Sequence, residues 1–144
     1  MVICADTSFL FALYGNDSHS PAATEWIGLS TEPIRISAFN DFELRNAFRF
    51  SEFSKRILAG ASQIHLALFE SAVAMGRLIP SHSNPATILI EAFRLSQAHT
   101  LTGGHRGFDI LHVAAAKVVG ATHFLTFDGN QKKLAAKVGL VVPL

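Results

Sequence analysis

Two kinds of apolar segment alternate along this chain: short unbroken runs, and longer stretches with helical period. Val2-Ile3-Cys4-Ala5 is an unbroken run of strand length, as expected of a strand buried on both faces. Asp6-Thr7-Ser8 ends it, and Phe9 to Tyr14 continues as a buried helix up to Gly15. A second helix is expected from Ser18 to Ser30, with Ser20 as its cap and Pro21 at its first helical position. Ile34-Arg35-Ile36-Ser37 alternates like a short strand. Ala38 to Leu78 then reads as a long helical region, a hairpin broken near Phe53–Lys55, which Gly60 and Gly76 weaken without stopping. After a loop at Pro80–Asn84, Asn84-Pro85 opens a helix running to about His99, and Thr100 to Gly107 is polar and glycine-rich, hence a loop. The most apolar helix follows and ends at Gly120; from Phe108 to Val119 its only strongly polar side chains are Asp109, His112 and Lys117. His123 to Phe127 predicts a strand, Asp128-Gly129-Asn130 a turn, Gln131 to Val138 a helix, and Leu140-Val141-Val142 a last strand.

This order, strands separated by helices, predicts an α/β fold with three layers, α/β/α, around a central and mainly parallel sheet of four to five strands. Residues 1–144 read as a single domain, with no linker, internal repeat or low-complexity segment. In such sheets ligands bind beyond the carboxyl ends of the strands, so polar residues that follow strands carry the most information.

Composition narrows the function classes. Hydrophobic residues make up 49 % of the chain against 16 % charged, which excludes a disordered protein, and twelve Phe imply a large core or an apolar face covered by a partner. A net charge of +1 means that any nucleic-acid binding must be local rather than driven by a global basic field. The one cysteine, Cys4, implies no disulfide framework. The amino terminus lacks a basic segment and no apolar run reaches membrane length, so a cytoplasmic protein without membrane contact is expected.

Only eleven acids are present. Most fall in loops or on polar helix faces, and Asp41 has Arg45 four residues on, the spacing of a surface pair. Four remain: Asp6 directly after the first strand, Glu43 early in the helix after the second, Asp109 at the start of the apolar helix, and Asp128 after the third recognisable strand. Asp41 and Glu43 lie about 200° apart on a helix, so only one of them faces a common site, and the Asp41–Arg45 pairing favours Glu43. Taken singly, Asp6 and Asp109 read as helix caps, Glu43 as a solvated first-turn acid and Asp128 as a turn residue. Taken together, Asp6 and Asp128 leave the same end of the sheet. Carboxylates gathered there repel one another by several kcal/mol at low effective dielectric unless cations neutralise them. An all-oxygen donor set suits Mg²⁺ or Mn²⁺ rather than zinc, and such an ion can lower the pKa of a water and stabilise the attacking and leaving oxygens of a phosphodiester.

Asp6-Thr7-Ser8 after a strand, Glu43 in a helix, Asp109-x-x-His112-x-Ala114-Ala115-Ala116 and Thr126-x-Asp128 together resemble a PIN domain. More narrowly, the chain is similar to the ribonuclease toxins of the VapBC toxin–antitoxin type over nearly its whole length, including the ending Gly139-Leu140-Val141-Val142. The resemblance implies a metal-dependent endoribonuclease in which Asp6, Glu43, Asp109 and Asp128 form an acidic Mg²⁺ or Mn²⁺ site, with Thr7, Ser8 and Thr126 as its small polar supports. It also implies an RNA substrate, a cognate antitoxin protein and a homodimer.

Other signals are weaker. His112, one turn after Asp109, reads as a locally hydrogen-bonded core histidine. Arg106 in the loop before Asp109, and Arg45 and Arg49 with Lys55 and Arg56 on one helical face, are candidate phosphate contacts, although such charges are often simply solvated. Phe39, Phe42, Phe48, Phe50 and Phe53 exceed what one buried stripe needs, so some should face a partner. Two other classes fit the pattern less well. A haloacid-dehalogenase-type phosphatase would need a second Asp where Ser8 stands, and a non-catalytic RNA- or protein-binding module would keep the fold with an idle site.

Overall fold

The computed structural model describes residues 1–144, and the first strand, β1 (Ile3–Ala5), lies inside a four-stranded, all-parallel sheet. It pairs on one side with β2 (Ile34–Ile36), which pairs with β3 (Leu78–Pro80), and on the other side with β4 (His123–Leu125). The order β3-β2-β1-β4 therefore reverses direction at β1, and the crevice at such a switch point opens between β1 and β4.

Period-two alternation divides the strands between two cores. Ile3, Ala5, Ile34, Ile36 and Leu125 pack with helices α1 (Thr7–Tyr14), α2 (Ser20–Leu29), α3 (Ala38–Phe53) and α4 (Ala61–Ala74). Cys4 and Phe124 point the other way, toward α5 (Pro85–Gly103), α6 (Gly107–Val118) and α7 (Gly129–Lys137). The result is the expected three-layer α/β/α arrangement. The short side chains Ala114, Ala115 and Ala116, all buried, let α6 lie close to the sheet and to α5.

Several boundaries differ from expectation, each for a local reason. Gly60 and Gly76 do interrupt the long helical region: both adopt positive φ, +83° and +74°, one opening α4 and the other following its end. The strand β3 after Gly76 was not anticipated; it is three residues long, with only Leu78 fully buried and Pro80 at its end on the sheet edge. In α2 the cap position is His19, not Ser20, whose hydroxyl instead donates to the Ala12 carbonyl at 2.6 Å. Helix α5 runs one turn past His99 and stops at Gly104, at φ +66°. The last apolar segment forms only a single parallel bridge, His123 to Val141, rather than a strand. No helix is long and apolar enough to cross a membrane.

Candidate active site

Asp6 leaves β1 with its backbone N–H donating to the Leu125 carbonyl of β4 at 3.0 Å, which puts its carboxylate in the crevice between the two strands. It is the cap of α1, accepting from Phe9 N–H at 3.0 Å, and it does more than cap. Oδ2 accepts from the Thr126 hydroxyl at 2.6 Å and from the Gln131 amide at 2.7 Å, while the Ser8 hydroxyl reaches both oxygens at 2.7 and 2.9 Å. Asp6 is 0 % exposed, so every one of these donors is needed to hold an ionised carboxylate. Burial pushes its carboxyl above the ordinary range, and the hydrogen bonds from Thr126, Phe9 and Ser8 only partly bring it back.

Asp109 lies in the first turn of α6; the cap is Arg106, with no side-chain bond, and not Asp109 itself. Gln131 joins the two acids, because its Nε2 also donates to Asp109 Oδ1 at 3.3 Å. Burial raises the Asp109 pKa, the charge of Asp128 and to a lesser extent that of Glu43 raise it further, and His112 and Arg106 offset only part of this. Asp128 is exposed and caps α7 through Gln131 N–H at 2.8 Å, so what reads as a turn is the start of a helix. The same first turn presents the Gln131 side chain to Asp6.

Glu43 is placed by a chain of buried groups. Ser37 and Asn40 form the capping box of α3, and Asn40 Oδ1 accepts from Ser37 N–H at 2.9 Å. That fixes the amide, so Asn40 Nδ2 donates to the Ala5 carbonyl at 3.0 Å and to His112 Nδ1 at 3.1 Å. His112 therefore carries its proton on Nε2 and donates it to Glu43 Oε1 at 3.0 Å, with the Thr7 oxygen nearby at 3.3 Å. Burial alone would raise the Glu43 pKa, but the hydrogen bonds from His112 and Thr7 outweigh it and hold the carboxyl below its ordinary range. His112 is thus a hydrogen-bonded core residue, and its partners come from α3 and α1 rather than from its own helix.

The structure gathers Asp6, Asp109, Asp128 and Glu43, with Thr7, Ser8 and Thr126 in supporting positions, around the carboxyl ends of β1 and β4. No lysine or arginine forms an ion pair with Asp6, Asp109 or Asp128. The surplus negative charge and the oxygen-only donors fit a hard divalent cation in kind. No three of these side chains yet stand close enough to hold one ion, since the Gln131 amide lies between Asp6 and Asp109 and Glu43 is engaged by His112.

The candidate phosphate-binding residues separate. Arg106 is exposed at the start of α6, beside Asp109. Arg45 is committed to Asp41 at 2.8 Å and Glu70 at 2.7 Å, with its guanidinium over Phe69. Arg49 borders a separate hollow with Glu52, Phe53 and Lys55. The segment before Arg106 is tied down by Asn130. His105 is buried and hydrogen-bonds Asn130 Oδ1, while Asn130 Nδ2 donates to the Gly103 carbonyl at 3.0 Å. Gly103 gives that ring room, because a Cβ there would run into the His105 side chain. Sequence reasoning missed Gln131 and Asn40, the two buried amides that organise the acids.

A parallel α/β sheet with four carboxylates, Asp6 buried among them, around the ends of the strands at its switch point defines the class of this protein. The PIN-domain family model matches residues 3–137, and the chain belongs to that family. No curated protein sequence matches it. Among solved structures it is similar to Mycobacterium tuberculosis VapC20, described as a Sarcin-Ricin loop cleaving toxin, at TM-score 0.70 and 17 % identity over 96 % of each chain. It is also similar to VapBC2 from Rickettsia felis, bound to a DNA fragment from its promoter, at 0.67 and 17 % over 99 % of this chain and 97 % of that one. A third is FitAcB from Neisseria gonorrhoeae, at 0.61 and 19 % over 98 % and 96 %. At these identities the likeness is one of fold.

Proposed function

We propose that this protein is a Mg²⁺- or Mn²⁺-dependent endoribonuclease that hydrolyses RNA phosphodiester bonds and acts in the cytoplasm as the toxin of a toxin–antitoxin pair. The observation that carries the reading is the joining of Asp6 and Asp109 by one buried amide, with no cationic side chain paired to either. A divalent ion held by Asp6 and Asp109, with Asp128 and Glu43 around it, would supply an activated water and neutralise charge on the phosphoryl oxygens. Asp6, immobilised by four donor groups, fixes the position of the site. Glu43, kept ionised at neutral pH by His112 and Thr7, orients the attacking water and accepts its proton. Arg106 contacts the substrate phosphate next to Asp109. Arg45, already engaged by two carboxylates, is no longer part of this proposal, and Arg49 is at most a peripheral contact.

The exposed Phe50 and Phe53 of α3, Ile64 of α4, and Ile90 and Phe93 of α5 support protein partners, an antitoxin segment and a second copy of the chain. Toxin function is tested by expressing the protein in a host cell. Growth arrest, relieved by co-expressing the product of a short reading frame next to its gene, is the expected result.

That no three of these side chains stand close enough to hold one ion favours a second reading, a PIN-like binding module with an idle site. Calorimetric titration with Mn²⁺ separates the two. The endoribonuclease reading expects saturable binding that is lost in Asp109→Asn, and no binding would favour the module.

A further inference from the structure

Three rings lie in a stack that starts in the core and ends in solvent next to the acids. Phe9, fully buried and set edge-on to Trp26 at 6.3 Å, lies nearly parallel to Phe127 at 5.8 Å and 20°. The His19 imidazole lies flat on Phe127, centroids 4.4 Å apart at 9°, and His19 is exposed. The stack is tied to the acidic site by one hydroxyl: Ser8 Oγ accepts from Phe127 N–H at 3.0 Å and donates to Asp6. Phe127 also stands between Thr126, which bonds Asp6, and Asp128. Beside the stack is an open groove of about 380 Å³ whose walls include Ser8, Asp17, His19, Phe127 and Asp128.

This groove has no lysine or arginine in its lining, so it is unsuited to a phosphate. It has what a nucleobase needs. Bases of single-stranded RNA stack on aromatic side chains, and their amino and imino groups donate to carboxylates. Asp17 Oδ1 accepts from His19 N–H at 2.8 Å, which holds the carboxylate beside the ring and leaves Oδ2 for a ligand. We infer that the groove is a nucleobase subsite flanking the cleaved phosphodiester. One base stacks on the outer face of His19, and the Asp17 carboxylate selects bases with an exocyclic amino or ring N–H donor facing it. The inference rests on the ribonuclease reading above and adds a source of base preference to it.

The test measures anisotropy of labelled single-stranded oligoribonucleotides in EDTA, where cleavage is suppressed, together with cleavage of the same RNAs in Mn²⁺. His19→Ala should weaken binding about tenfold, the order expected for one lost stacked base, while His19→Trp restores it. An oligonucleotide carrying one abasic position in the subsite should bind wild type and His19→Ala equally. Asp17→Asn should change the ranking of bases without abolishing binding. Equal binding and equal base preference in wild type and His19→Ala, both folded by circular dichroism, would overturn the subsite and leave the ribonuclease standing. Failure of the wild type itself to bind or cleave any single-stranded RNA would overturn both.

Discussion

Replacing Gln131 with methionine removes the amide that joins Asp6 to Asp109 while keeping the length and burial of the side chain. The bond lost to Asp6 is short, 2.7 Å, and ends on a carboxylate with no solvent exposure; such a bond contributes about 1.5–3 kcal/mol. The longer bond to half-exposed Asp109, 3.3 Å, contributes about 0.5–1 kcal/mol. Against these stands the Gln131 Oε1 atom, buried without a partner, whose removal returns about 1–3 kcal/mol. The metal-free protein at neutral pH should therefore lose about 1 kcal/mol of stability, a small net from opposing contributions. Its conditional behaviour is more diagnostic than its size. Saturating Mn²⁺ should reduce the deficit, because a cation supplies the positive charge between the carboxylates that the amide otherwise approximates. Acidification should reduce it too, because a protonated Asp109 no longer needs a donor. Urea denaturation in EDTA at pH 7 and pH 5, and again in Mn²⁺, measures each case. A loss that is unaffected by both pH and metal would make Gln131 ordinary core packing and not a bridge between the acids.

Other consequences follow from the same geometry. Asp6 and Asp109 have folded pKa values above their unfolded ones, so in that window the folded state binds more protons, and the metal-free protein should gain stability as pH falls through it. Glu43 has the opposite sign: its contribution is present above the ordinary carboxylate range and lost as pH falls below it, so a pH series of melting curves should show a maximum on the acid side of neutrality. Asp109→Asn should raise metal-free stability by a few tenths of a kcal/mol after allowance for solvent screening, and flatten that pH dependence; a destabilised variant would contradict the repulsion from Asp128 and Glu43. His112→Phe leaves the Asn40 amide and Glu43 without their partner and should cost about 2–4 kcal/mol in chemical denaturation. Burial pushes the Cys4 thiol up to about 12, so iodoacetamide should leave the native protein unmodified and label it only on unfolding.

What the sequence made legible depended on whether a signal was local. β1 and the cap at Asp6 could be read because a strand buried on both faces is an unbroken apolar run, and the polar residue that ends it must go somewhere. β3 could not, because three residues following a helix carry no period of their own. Asp6 and Asp128 stand out because they directly follow strands, and Glu43 and Asp109 because they lie near the starts of helices. Gln131 and Asn40 do not stand out: each looks like an ordinary polar residue in the first turn of a helix. Only the tertiary arrangement turns one toward Asp6 and the other toward His112. Arg45 shows both cases: its pairing with Asp41 is legible in the four-residue spacing, whereas Glu70, brought to it by the neighbouring helix, is not.

The most direct test of the acidic site is cleavage of a single-stranded RNA by the purified protein in Mg²⁺ or Mn²⁺, compared with its folded Asp6→Asn and Asp109→Asn variants. The expected result is metal-dependent cleavage by the wild type, stopped by EDTA, and a loss of at least about 100-fold in each variant, the scale of removing a charge-stabilising catalytic group. Metal-dependent cleavage that survives both substitutions would contradict the assignment of Asp6 and Asp109 to the active site.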